Sequence, residues 1–391
     1  MSSHRFIGGV ALLGMLGGVA MEVAAAPFDP MHPYPKVTAD ALLVRKNVKD
    51  MTKQEKADFV GAILALKQTR APGGDMVGNW YDHFVAQHMR KLVCWTDQPG
   101  QGGLGHSGPD LLTWHRAFLL EFEYALWKVA RKPIAIPYWD WTDPASEAAM
   151  LADDMMGPGG KAEDGYVVMS GPFRKGRWKI NVKGFTTDNP GQFDDLVRGT
   201  GNMAGATTAP LAADVVALLQ RPLYDVAPWG VTSDTAQSFR NFLDGGINAT
   251  GLECKDGVIW DIVGATSSRL HAQGHMYIGG QDAQGNPGAL TDTVTSPNDP
   301  IFWLHHANVD RLLEMWWKQH RYQYLPKTGG PRGDNIGDIL WPYPKLTNGG
   351  MARPTRMFGY RYADLTPPQV PEGQTGSESQ TAQAMGTMSH H

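Results

Sequence analysis

The chain has 391 residues, 42% of them hydrophobic, with 13 tryptophans and a formal net charge of −4. It has no basic stripe, which argues against a nucleic-acid partner. The length is enough to bury a sizeable core. A length prior alone would suggest two to three domains, but histidines with metal-ligand spacing run from position 88 to 306, so one fold has to gather them.

Residues 1–26 read as an export signal. A short basic start (His4, Arg5) leads into an apolar stretch from Ile7 to Ala20, and Ala24, Ala25 and Ala26 precede Pro27. The stretch is short for a membrane span, which needs about 20 residues, and no twin-arginine pair precedes it. The expected location is therefore outside the cytoplasm, without stable membrane association after processing. Two cysteines, Cys94 and Cys254, form an even count that such a compartment allows to pair. Their spacing does not decide whether they do.

The next elements are helical. Thr52 and Glu55 form a capping box, followed by Phe59, Val60, Ile63 and Leu66 at helical spacing. A helix over Trp80–Val93 puts Trp80, Phe84 and His88 on one face. The Gly-rich loop PGQGGLGHSGP carries His106. Pro109 suits the first turn of a helix through LLTWHRAFLLEFEYALWKVA, which stops before Pro133. IAIPYWDW is short and aromatic. Residues 143–215 read as long loops, and ADVVALLQRP and SDTAQSFRNFL as short helices. SSRLHAQGHMYIGG predicts a helix ended by Gly279 and Gly280. SPNDP caps the helix IFWLHHANVDRLLEMWWKQHR, with Asn298 or Asp299 as cap and Pro300 at its first position. Residues 366–391 are polar and read as a disordered tail.

The histidines carry the chemistry. His271 and His275 lie four apart, so one helical face presents both. Ala272, Gln273 and Gly274 between them lack the glutamate of the HExxH zinc-protease motif. His115 sits among Trp114, Phe118, Leu119 and Phe122, where an imidazole needs a polar partner. His106 lies where glycines permit close backbone approach. His83 points about 140° away from His88 and is expected to stay outside the site. His305 and His306 differ by about 100°, and helical geometry leaves the choice between them open. His4, His32, His320, His390 and His391 are expected to be solvated. Asp310, one turn after His306, is placed to receive the other N–H of a ligating imidazole; the alternative is a surface pairing with Arg311. Imidazole sites without carboxylate or thiolate point to redox metals rather than calcium, magnesium or zinc–sulfur clusters. A dizinc hydrolase would need carboxylates that the triplets do not offer.

These residues resemble a known family. WHRAFLLEFE resembles the first-copper signature of tyrosinases and related type-3 copper proteins, and DPIFWLHHANVD resembles their second. PYWDW, SPNDP and the combination of Arg45 in VRKN with Tyr360 and Tyr362 in FGYRYADL are similar to the same family. The resemblance spans about residues 40–365. It implies a mainly α fold, in which a central four-helix bundle holds a dicopper site amid long loops and a few short strands. The catalytic domain would be 27–365. The implied ligands are His88, His106 and His115 for one copper, and His271, His275 and His306 for the other. The family pattern puts a ligand three residues after Trp303 and four before Asp310, which selects His306. Tyr362 would mark the end of the core.

The resemblance implies copper-dependent oxidation of phenols and catechols to o-quinones, with dioxygen as co-substrate and a copper chaperone as a further partner. Alternatives within the same site are an o-aminophenol oxidase and a hemocyanin-like oxygen-binding protein. The chain departs from the pattern in four places. Leu111 replaces a usual phenylalanine. Leu104 stands where many relatives carry a cysteine bonded to the second ligand, so an unmodified His106 is expected. Ala272 replaces the asparagine of strong monophenol hydroxylases, which favours diphenol oxidation and leaves monophenol hydroxylation open. Thr293 replaces a blocking aromatic residue, so with Met276 it is expected to shape an open mouth, where a phenyl ring could stack on His275.

Overall fold

A computed structural model describes residues 42–71, 78–92, 105–183, 193–244, 253–255, 258–260 and 270–376. The expected export signal, Leu104 and Cys94 lie outside the described residues, as does the side chain of Cys254. So does most of the polar tail. Of the part that is described, Gln374 accepts a hydrogen bond from the backbone of Ala213 through its side-chain oxygen, 3.1 Å.

In chain order the elements are β1 (Leu43–Arg45), α1 (Lys53–Leu66), α2 (Trp80–Leu92), α3 (Asp110–Ala130), α4 (Pro144–Met150), α5 (Ala212–Leu219) and α6 (Phe239–Asp244). They continue with β2 (Glu253–Lys255), β3 (Val258–Trp260), α7 (Leu270–Gly279), α8 (Ile301–His320), α9 (Asn348–Met351) and β4 (Tyr360–Tyr362). The fold is mainly helical, with α2, α3, α7 and α8 as its central bundle.

Local chemistry sets the boundaries. At the start of α1 the Thr52 hydroxyl accepts the Glu55 N–H, and the Glu55 carboxylate accepts the Thr52 N–H. Phe59, Ile63 and Leu66 are fully buried against the core. Helix α3 ends at Arg131, which takes the left-handed conformation (φ 56°) two residues before Pro133. Helix α8 begins where Asp299 accepts the Ile301 N–H at 3.0 Å; Asn298 instead donates to the Val182 carbonyl. The expectation of loops throughout 143–215 misses α4. Asp143 caps it by accepting the Ala145 N–H, and Pro144 occupies its first turn. Of SDTAQSFRNFL only the part from Phe239 is helical.

Large aromatic side chains lock α3 to α8. Phe122 and Trp303 stack at 3.5 Å with 2° between planes, and Phe118 lies 5.0 Å from Trp303. The first and last strands pair in parallel, Leu43 opposite Tyr360 and Arg45 opposite Tyr362. Beneath the bundle Arg45 is completely buried. Its Nε and Nη2 donate to the two oxygens of Glu123, each at 2.8 Å, and its Nη1 donates to Asp310 and to the Tyr362 hydroxyl. The guanidinium also lies 3.9 Å above the Tyr360 ring. This cluster joins both strands to α3 and α8. Among the described residues no helix is long and apolar enough to cross a membrane.

Candidate metal centre

Two groups of histidines meet inside the bundle. His88, His106 and His115 form one; His271, His275, His305 and His306 form the other. Within each group one ring nitrogen per residue lies within 4.8 Å of the others. The groups touch, because the rings of His115 and His306 stack at 4.0 Å with 6° between planes.

In the first group α2 supplies His88 and α3 supplies His115. His88 Nδ1 lies 3.0 Å from the Val294 carbonyl, and His115 Nδ1 lies 2.8 Å from the Leu111 carbonyl one turn earlier. A carbonyl only accepts, so each Nδ1 carries the proton and each Nε2 keeps its lone pair. Both Nε2 atoms are buried with no protein partner. Such orphaned acceptors are rare and call for an explanation. The His106 ring stands 4.9 Å from each of the other two. Its loop is held on one side by Asp110, whose carboxylate accepts the Gly105 N–H. Gly105 has φ +66°, and a Cβ there would meet Lys91 at 2.9 Å, so glycine is required.

In the second group α7 presents His271 and His275 one turn apart. The Nε2 atoms of His271 and His275 lie 3.1 Å apart, and those of His275 and His306 lie 3.2 Å apart. His275 Nδ1 faces the Leu290 carbonyl at 2.9 Å, and His271 Nδ1 faces Asp244 Oδ1 at 3.3 Å. Both Nδ1 atoms therefore hold protons, and two bare lone pairs face each other. That arrangement is repulsive without a cation. The donor set fits metal ions that favour imidazole. Leu290 and Val294 lie on one short segment, so a single loop orients one histidine of each group.

His305 is oriented differently. Its Nδ1 accepts the Trp141 indole N–H at 3.2 Å, which places the ring proton on Nε2. Its ring packs on His271 and against Gly274. Of the pair that helical spacing left open, His306 turns Nε2 toward His275 while His305 turns to Trp141.

Burial keeps five of these imidazoles neutral. It pushes His88 down to about 4. It also pushes His115, His275, His305 and His306 well below the ordinary histidine value, with neighbouring imidazoles adding to the effect. Neutral rings are the form that can ligate.

Asp310 does not take the part expected of it. Its oxygens accept from Arg45, Arg116, Tyr360 and Tyr362, on the side of α8 that faces the buried arginines. Nor is it paired with Arg311, which bonds Asp140. A carboxylate that does meet one of the grouped imidazoles is Asp244, which sequence reasoning missed. It lies 27 residues before His271 with no periodic relation to it. Ala272 and Met276 are half-buried on α7, and Thr293 is exposed on the loop that carries Leu290 and Val294. Leu111 is buried, and its contribution to the site is its carbonyl. His83 lies outside both groups, edge-on to Phe84. His320 is half-buried and stacks on Trp316 at 4.1 Å, contrary to the solvated expectation.

The common central domain of tyrosinase matches residues 78–319. A tyrosinase of Streptomyces antibioticus is 36% identical over 327 residues, covering 82% of this chain and 99% of the relative. A grixazone synthase of Streptomyces griseus is 31% identical over 338 residues, covering 81% of this chain and 98% of the relative. Among solved structures, a polyphenol oxidase from Thermothelomyces thermophila shares the fold with a TM-score of 0.55 and 22% identity, over 84% of this chain and 90% of that one. The domain match and the near full-length relatives carry the same conclusion as the paired histidine groups: the chain belongs to the tyrosinase family, a family of type-3 copper oxidoreductases.

Proposed function

We propose that the protein oxidises phenols and catechols to o-quinones with dioxygen at two copper ions. His88, His106 and His115 hold one ion; His271, His275 and His306 hold the other. The observation that carries this reading is the convergence of the bare Nε2 atoms of His88 and His115 from α2 and α3, and of the Nε2 atoms of His271, His275 and His306 from α7 and α8. Copper, when bound, supplies the electron exchange with dioxygen that side chains cannot.

The chain's own residues bind and orient. Carbonyls of Leu111, Leu290 and Val294 fix the ring tautomers before any metal arrives, so little reorganisation is needed. Buried Phe118 and Phe302 beside the imidazoles exclude water. Ala272, Met276 and Thr293 form the approach for a flat aromatic substrate. Each catechol gives up two electrons and two protons, so two catechols reduce one dioxygen to two waters. The methyl of Ala272 cannot hold a water that would take a phenol proton, and this favours catechols over monophenols. Residues 27–365 form the catalytic domain, 366–391 a tail, and 1–26 a signal that directs export.

Copper-loaded protein assayed with tyrosine, a catechol and an o-aminophenol tests the reading. Two coppers per chain and faster o-quinone formation from the catechol than from tyrosine are expected. Reversible oxygen uptake with no turnover of any of the three would replace it with an oxygen carrier.

A further inference from the structure

We infer that Asp244 is a positioning residue shared by the two histidine groups: one carboxylate oxygen holds the loop of His106 and the other orients His271. Oδ2 accepts the backbone N–H of Ser107 at 3.1 Å, and Oδ1 faces His271 Nδ1 at 3.3 Å. Ser107 follows His106 directly and has φ 57°, a left-handed conformation that a non-glycine residue keeps only when its surroundings hold it. His106 is set on a loop, unlike the helix-borne His88 and His115, so its placement depends on such ties.

The carboxylate is itself fixed. Asp244 ends α6, and Arg240 one turn earlier lies 3.6 Å from Oδ2. Arg240 is held in turn by Asp225, at 2.7 and 2.8 Å. A guanidinium anchored on one acid thus steadies a second acid, which meets His271 directly and holds the loop residue next to His106. An acceptor at His271 Nδ1 also keeps the ring proton on that nitrogen, so that Nε2 presents its lone pair. The two metals should therefore depend on this one side chain together.

The inference rests on the two-copper reading, and the test separates the two. Holoprotein is prepared as wild type, Asp244→Ala and Asp244→Asn. Copper content is measured, then the release of copper into excess chelator, along with the unfolding midpoint of each metal-free protein. Fewer than two coppers on the wild type would sink the two-copper reading itself. With two bound, release of both ions about 10- to 100-fold faster from Asp244→Ala, beyond what any fall in its metal-free midpoint accounts for, supports the shared role. Asparagine offers one acceptor where aspartate offers two, so Asp244→Asn should fall between; if the alanine variant does not fold, the asparagine variant is judged by the same measures. Faster release of one ion only overturns the shared role. So does wild-type release, or an unfolding midpoint that falls in step with copper retention.

Discussion

Trp141 donates its indole N–H to Nδ1 of His305 across 3.2 Å, and that one bond separates two adjacent histidines. It occupies the lone pair that His305 would offer, while His306 keeps Nε2 directed at His275. His305→Ala should retain two coppers per chain, whereas His306→Ala should retain one and lose catechol oxidation by at least about 100-fold. Metal content after chelator treatment reads the difference.

Gly274 is the floor under His305. A Cβ there would stand 2.4 Å from Cε1 and 2.8 Å from Nδ1 of that ring, and the ring is pinned to Trp141 through Nδ1. Gly274→Ala therefore forces α7 or the imidazole to move. The expected cost is about 1–3 kcal/mol of stability, with weakened copper binding at His271 and His275. Denaturant unfolding of the metal-free protein measures the first, and chelator competition the second.

Asp310 neutralises buried arginines. Burial works to raise its carboxyl, but Arg116 and Arg45, with Tyr360 and Tyr362, overcome that and hold it below the ordinary range. Asp310→Ala leaves those guanidiniums undercompensated and should cost about 3–5 kcal/mol. Because the folded value is depressed, the carboxylate's contribution is fully present above the unfolded value of about 3.9 and is lost as pH falls through the lower folded value. Unfolding curves between neutral pH and pH 3 should show the gap between wild type and variant closing at the acid end.

Asp334 behaves in the opposite way. Burial first, then the neighbouring Asp110, raises its carboxyl to about 9, with Lys91 opposing. The folded chain therefore keeps a proton that the unfolded chain releases near 3.9. Stability from this group is complete below that value and is lost as pH rises through about 9, with a slope of up to about 1.4 kcal/mol per pH unit. Asp334→Asn mimics the protonated acid and accepts the Asp110 N–H in the same way. Its unfolding midpoint should vary less than that of the wild type between pH 5 and pH 9, measured by thermal melts.

Much of this was readable from local patterns. The capping box of Thr52 and Glu55 and the one-turn spacing of His271 and His275 depend on residues three or four apart, where chain geometry dictates contact. What could not be read depends on distant partners. The orientation of His305 needs Trp141, 164 residues away. Asp310 faces Arg45 and Arg116, separated from it by 265 and 194 residues, and helical spacing from His306 gives no hint of them. Asp244 sits at the end of a six-residue helix and has no motif of its own. The short helix α4 hid in a stretch whose Gly and Pro content reads as loop.

The parallel pairing of β1 with β4 has a consequence for biosynthesis. Arg45 emerges early from the ribosome, but its hydroxyl partner Tyr362 follows 317 residues later. Until then a cation destined for the interior has only part of its cage. Completion of this buried cluster is thereby postponed until nearly all of the chain has been translated.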